Sequence, residues 1–120
     1  MAPYQILILD SQRAEMLANW RRGDAGEGEY DPRPVVKLFN PCGAATWLLT
    51  ELVEDEPDIA FGLCDLGQGF PELGYVSLAD LRSVRLMGGL SIERDEHFKA
   101  TKTLSEYAAA ARAVGRIEAY

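Results

Sequence analysis

The chain has 120 residues, 48% of them hydrophobic and 26% charged, so it can bury a core without a disulfide or a metal and is not disordered as a whole. Its 12 basic and 19 acidic side chains leave a net charge of −7, which repels phosphates and argues against a general DNA or RNA binder. That balance suits an ordinary solvated surface, or one that docks on a basic partner such as a nucleic-acid enzyme.

A first helix is expected over Ser11–Arg22. Asp10 or Ser11 can cap it, Met16, Leu17 and Trp20 recur at helical spacing, and Arg21 and Arg22 sit where cations complement the helix dipole. From Gly23 to Pro34 the run GDAGEGEYDPRP has no apolar period and reads as a loop, either a solvated connector or a functional lid. Four strand-like runs follow at Val35–Phe39, Ala45–Leu52, Ile59–Leu66 and Leu73–Val76. The breaks between them are short, which favours antiparallel neighbours and predicts a meander. Alternation places Ile59, Phe61, Leu63 and Asp65 on one face and Ala60, Gly62, Cys64 and Leu66 on the other. In the second run it sets Trp47, Leu49 and Glu51 against Thr46, Leu48, Thr50 and Leu52. Neither face is cleanly polar, so partial cover on both sides is expected.

Ser77 and Asp80 have the spacing of a reciprocal cap for a short second helix carrying Leu78 and Leu81. Gly88-Gly89 breaks the chain, and Leu90–Arg94 reads as an edge strand. The final helix is announced by the T-x-x-E of Thr103 and Glu106, with Leu104, Tyr107, Ala108, Ala111 and Val114 as its apolar face. The predicted fold class is therefore α+β: a single domain over residues 1–120, with a small antiparallel meander packed against N- and C-terminal helices.

Three stretches resemble the domain of unknown function 2958 family: VVKLFNPCGAATWLLTEL (Val35–Leu52), AFGLCDLGQGFPELGYVSLADL (Ala60–Leu81) and IERDEHFKATKTLSEYA (Ile92–Ala108). The resemblance covers most of the chain. It implies a bacterial accessory protein of plasmids or other mobile elements, and it carries over no catalytic residues.

Compartment and chemistry are read from the residues themselves. Ile6–Leu9 is too short for a signal-peptide core, and no run nears the roughly 20 apolar residues of a membrane span, so the cytoplasm is expected and no membrane partner. Cys42 and Cys64 form no C-x-x-C and read as reduced thiols, with a Cys42–Cys64 bridge as the alternative. The glycine run from Gly67 to Gly74 is neither G-x-G-x-x-G nor a phosphate loop, and is expected as a turn. No G-x-S-x-G is present, and mid-strand Cys64 reads as a small buried hydrophobe.

The acids offer more. Asp65 and Glu72 flank one turn, and with His97 they could hold a divalent ion and activate water. The plainer reading is that they cap backbone N–H groups or pair with Lys37, Lys99 or Lys102. Lys99 and Lys102, with Thr101 and Thr103 at a helix start, form a candidate anion site. Glu51, Glu54, Asp55, Glu56 and Asp58 make either a solvated hairpin tip or a docking surface that imitates phosphates. Tyr75 belongs to a set of strand aromatics that read as core unless they stack on a ligand. The sequence thus supports a non-enzymatic binding or accessory protein with a protein partner, no cofactor and no assigned metal site. Its alternative is a metal-assisted phosphoester hydrolase using Asp65, Glu72 and His97.

Overall fold

The computed structural model describes residues 6–24 and 30–120, so residues 25–29 of the expected Gly23–Pro34 loop lie outside the described part. Helix α1 (Asp10–Asp24) leads to strands β1 (Val36–Phe39), β2 (Thr46–Val53), β3 (Glu56–Asp65) and β4 (Glu72–Ser77). Helix α2 (Leu78–Ser83), a single 3-10 turn at Met87–Gly89, strand β5 (Glu93–Arg94) and helix α3 (Leu104–Val114) complete the order. The strands form one sheet in the order β4-β3-β2-β1-β5, antiparallel throughout. The expected meander is β1 to β4, and β5 returns to pair with the outer edge of β1.

The sheet is apolar on both faces, so helices cover both. On one face Met16 of α1 and Leu78 and Leu81 of α2 pack with Val36, Leu38, Trp47, Leu49, Leu52 and Ala60. On the other, Leu104, Tyr107, Ala108 and Ala111 of α3 pack with Leu48 and Leu63, with Phe61 alongside. Burying a side chain of the size of Leu48 or Leu63 contributes about 1.5–3 kcal/mol. Val114, expected on the buried face of α3, is half exposed, because the helix ends at once in Gly115, a left-handed cap whose N–H donates to the Ala111 carbonyl.

The face assignment of β2 holds only as far as Leu49. The register with β3 shifts between Leu49 and Glu51, so Glu51 opposes Phe61 and Leu52 opposes Ala60. An extra residue at Thr50 flips the alternation. Leu52 therefore joins Trp47 and Leu49 in one core, while Glu51 moves to the face of Phe61. The shift sits beside Gly62, where a Cβ would stand 2.0 Å from the Leu48 carbonyl oxygen. β1 pairs with β2 only at residues 46–49, so Thr50 lies beyond its end. There the buried Asn19 side chain of α1 donates to the Thr50 carbonyl (2.9 Å), and the Tyr30 hydroxyl donates to Asn19 Oδ1 (2.5 Å).

The helix ends follow local chemistry. At the start of α1 the Leu9 N–H donates to Gln12 Oε1, one residue before the expected Asp10 or Ser11 cap. Ser77 Oγ accepts the Asp80 N–H, one half of the expected reciprocal cap, and Asp58 supplies the acceptor for the Ala79 N–H. Thr103 and Glu106 close the full reciprocal cap of α3. The edge strand expected over Leu90–Arg94 is only Glu93–Arg94, because Gly88 and Gly89 both take positive φ and turn the chain just before it.

Candidate functional site

The three candidates for metal-assisted hydrolysis do not converge. Glu72 stands directly opposite Cys64, so its side chain shares the face of Cys64, while neighbouring Asp65 points to the other face. His97 follows β5 beyond the far edge of the sheet, with β2 and β1 lying between it and β3. Asp65 is 2% exposed and fully engaged: the Gly67 N–H donates to Oδ1 (2.8 Å) and the Ile117 N–H to Oδ2 (2.9 Å). His97 is exposed, and its backbone N–H donates to Asp95 in a local turn. No group of three or more potential metal-ligating side chains occurs among the described residues. Both thiols are free. Burial pushes the Cys64 thiol up to about 11, which keeps it protonated and unreactive at neutral pH.

The candidate anion site is filled by the protein's own carboxylates. Asp31 accepts the Ser105 N–H (3.0 Å) and the Ser105 hydroxyl at the first turn of α3, and Glu106 accepts the Thr103 N–H (2.9 Å). Lys102 stands over the Tyr107 ring, 5.7 Å from its centroid, and Lys99 is exposed. The acidic run from Glu51 to Asp58 is likewise divided. Glu54 pairs with Arg21 (2.8 Å), and Asp58 pairs with Arg82 (2.7 Å) while capping α2. Asp55 and Glu56 remain exposed near the β2–β3 turn, and Glu51 turns away from them.

Glu51 turns into a cleft of about 390 Å³, lined by the aromatic side chains of Trp20, Tyr30, Phe61 and Tyr75, with Asp24 also on its wall. Each wall has a local cause. The register shift at Thr50 aims Glu51 alongside Phe61. Phe61 and Tyr75 are cross-strand partners, with ring centroids 5.0 Å apart in an edge-to-face arrangement. The Tyr30 hydroxyl is held by Asn19. A Cβ on Gly23 would lie 3.3 Å from Glu51 Oε1, so glycine in the last turn of α1 leaves the carboxylate its room.

Burial raises the Glu51 carboxyl above its usual range, against a smaller lowering by the Thr50 hydroxyl. That hydroxyl lies 3.1 Å from Glu51 Oε2 and 3.3 Å from the Phe61 carbonyl oxygen. The Thr50 hydroxyl shares its single proton between these two acceptors. No lysine or arginine among the described residues forms an ion pair with Glu51. Sequence reasoning named Glu51 and Tyr75 for other reasons and passed over Trp20 and Tyr30. An aromatic residue inside an otherwise acidic, glycine-rich loop was the signal available for Tyr30.

Two further cavities are built differently. One beside β5 is lined by Lys37, Glu93, Arg94, Asp95, Glu96 and His97, with charges of both signs. The other lies between the β3–β4 turn and the segment after α3, where Lys37, Asp65, Arg116 and Tyr120 line it together with small residues such as Gly67 and Gly115.

No described helix is long and apolar enough to cross a membrane. No curated protein and no solved structure matches the chain. The model of the family described as protein of unknown function (DUF2958) matches residues 7–118, and the chain belongs to that family.

Proposed function

We propose that this member of the DUF2958 family is a non-enzymatic binding protein. It acts as an accessory factor of plasmids or other mobile elements in the bacterial cytoplasm, and it engages a protein partner. The observation that carries the reading is the half-buried Glu51 carboxyl, which has no ion-pair partner among the described residues and stands in a cleft lined by Trp20, Tyr30, Phe61 and Tyr75. A half-buried carboxyl group in a concave aromatic setting suits recognition. Catalysis by the named alternatives has less support, since Asp65 is engaged by backbone N–H groups and Glu72 and His97 lie apart from it. The net charge of −7 favours a basic partner over a nucleic acid.

The test is an affinity capture from native lysate at low and moderate salt, run in parallel with three proteins. Wild type should retain a defined basic protein that salt releases. Tyr75→Ala should lose it, whereas charge reversal of Glu54, Asp55 and Glu56 should weaken it only modestly, because Glu54 is already paired with Arg21. Loss on charge reversal with retention by Tyr75→Ala would move the contact to the hairpin tip and favour phosphate mimicry. Capture of nucleic acid instead of protein would overturn the reading.

A further inference from the structure

We infer that the cleft at Glu51 is a receptor for an organic cation, namely the ammonium or guanidinium group of a lysine or arginine presented by the protein partner. The inference rests on the binding reading above and names what the site takes. Among the described residues the carboxylates on its wall are Glu51 and Asp24, and no basic side chain lines it. The remaining side-chain wall is aromatic, and the negative faces of aromatic rings attract a desolvated cation. The protein already uses one of these rings in that way: the Arg22 guanidinium stands over Tyr30, 4.4 Å from the ring centroid.

The geometry also selects against other ligands. An anion would meet Glu51 and Asp24. A purely apolar ligand would leave the Glu51 carboxyl with no hydrogen-bond partner beyond the Thr50 hydroxyl among the described residues. A cationic N–H supplies what is missing, a charge-assisted hydrogen bond to Glu51 Oε1, while Oε2 stays with Thr50. Tyr75 is 60% exposed on edge strand β4, so its ring is reachable from solvent, and Phe61 behind it sets its tilt. Burial raises the Glu51 carboxyl, and an arriving cation would stabilise its charged form.

The experiment is an NMR titration of the folded chain with n-butylammonium and ethylguanidinium as side-chain mimics, n-butanol as the uncharged control, and ionic strength matched throughout. The two tryptophans give an internal control, because Trp20 lines the cleft whereas Trp47 is 6% exposed in the core. Both cations should shift the Trp20 indole N–H and the Tyr75 ring signals with dissociation constants on the order of millimolar, and should leave Trp47 unmoved. Glu51→Gln should weaken binding about tenfold. Tyr75→Leu, which keeps the bulk and removes the ring, should weaken it severalfold while Tyr75→Phe retains it.

Equal shifts from n-butanol and n-butylammonium, or binding unchanged in Glu51→Gln, would overturn the inference. A short peptide with one central lysine should bind more tightly than the free amine. A peptide that binds more weakly would assign the site to a small-molecule amine and overturn the side-chain source. If the cations fail while Tyr75→Ala still loses the captured partner, the binding reading stands and only the cation assignment falls. If the cations bind and no partner is captured, the reverse holds.

Discussion

Gly62 shows how one missing methyl sets the geometry of a site two residues away in the partner strand. Alanine there would bring Cβ to 2.0 Å from the Leu48 carbonyl oxygen and 2.8 Å from Leu49 Cα, both backbone atoms that cannot swing aside. Gly62→Ala should therefore cost more than about 3 kcal/mol, beyond the usual range for overpacking, since β2 itself must move. Urea unfolding measures the loss, and a cost below about 1 kcal/mol would mean that the two strands separate easily. Glu51 carries the opposite sign. Burial places its folded-state pKa above the unfolded value of about 4.3. The protonated side chain is thus best accommodated below that value, and its contribution to stability is lost as pH rises through the folded pKa. Glu51→Gln should melt with wild type below about pH 4 and melt a few degrees higher near neutrality. A lower melting temperature for Glu51→Gln at neutral pH would show that the carboxylate supports the fold rather than being held against it.

Among the elements, α3 was the most legible in the sequence, because its cap, apolar face and alanine run all agree. The four meander strands were legible for a similar reason: short breaks leave little choice but antiparallel pairing. What the sequence did not show was tertiary. Asp31 lies in the run that reads as a loop, yet it closes the first turn of α3 through Ser105. Neither residue's neighbours hint at the other. The aromatic cleft was hidden by the extra residue at Thr50, since strict alternation sends Glu51 to the face of Trp47. Asp31 also gives a prediction at this scale. Burial raises its carboxyl, but hydrogen bonds from the Ser105 and Thr103 hydroxyls and the Ser105 N–H outweigh this and hold it below its usual range. The stabilisation is present above the unfolded pKa of about 3.9 and is lost as pH falls through the folded value. Asp31→Ala should lower stability by about 1 kcal/mol at neutral pH, as loss of a helix cap does. The gap should close in acid. A gap that stays constant from neutral to acid would mean that the carboxylate charge plays no part.

Across the whole molecule, two cores on opposite faces of the sheet must be kept in register, and Asp65 sits where the chain ties them. It belongs to β3, and its two oxygens hold the turn toward β4 and the segment after α3 through the N–H groups of Gly67 and Ile117. Lys37 works from the other side, donating to the Ala119 carbonyl (2.7 Å) and pairing with Asp95 (3.4 Å). The segment from Arg116 to Tyr120 is thereby fastened to both β1 and β3, and Ala119 and Ile117 pack with the α3 core. Truncating Asp65 leaves two N–H groups without their acceptor. Hydrogen bonds to charged groups contribute about 1.5–3 kcal/mol each, so Asp65→Ala should cost about 3–5 kcal/mol. Hydrogen exchange should then quicken first at Gly67 and Ile117, before the strand amides of β2, because the fastening is lost while the meander remains. Glu72→Ala and His97→Ala should each change stability by less than about 0.5 kcal/mol, as exposed side chains do. Equal large losses for all three would argue for a shared network and would reopen their joint role. A loss confined to Asp65 marks it as the structural member of the set. That outcome would leave Glu51, on the same face of the sheet and without an ion-pair partner among the described residues, as the carboxyl group placed to meet a ligand.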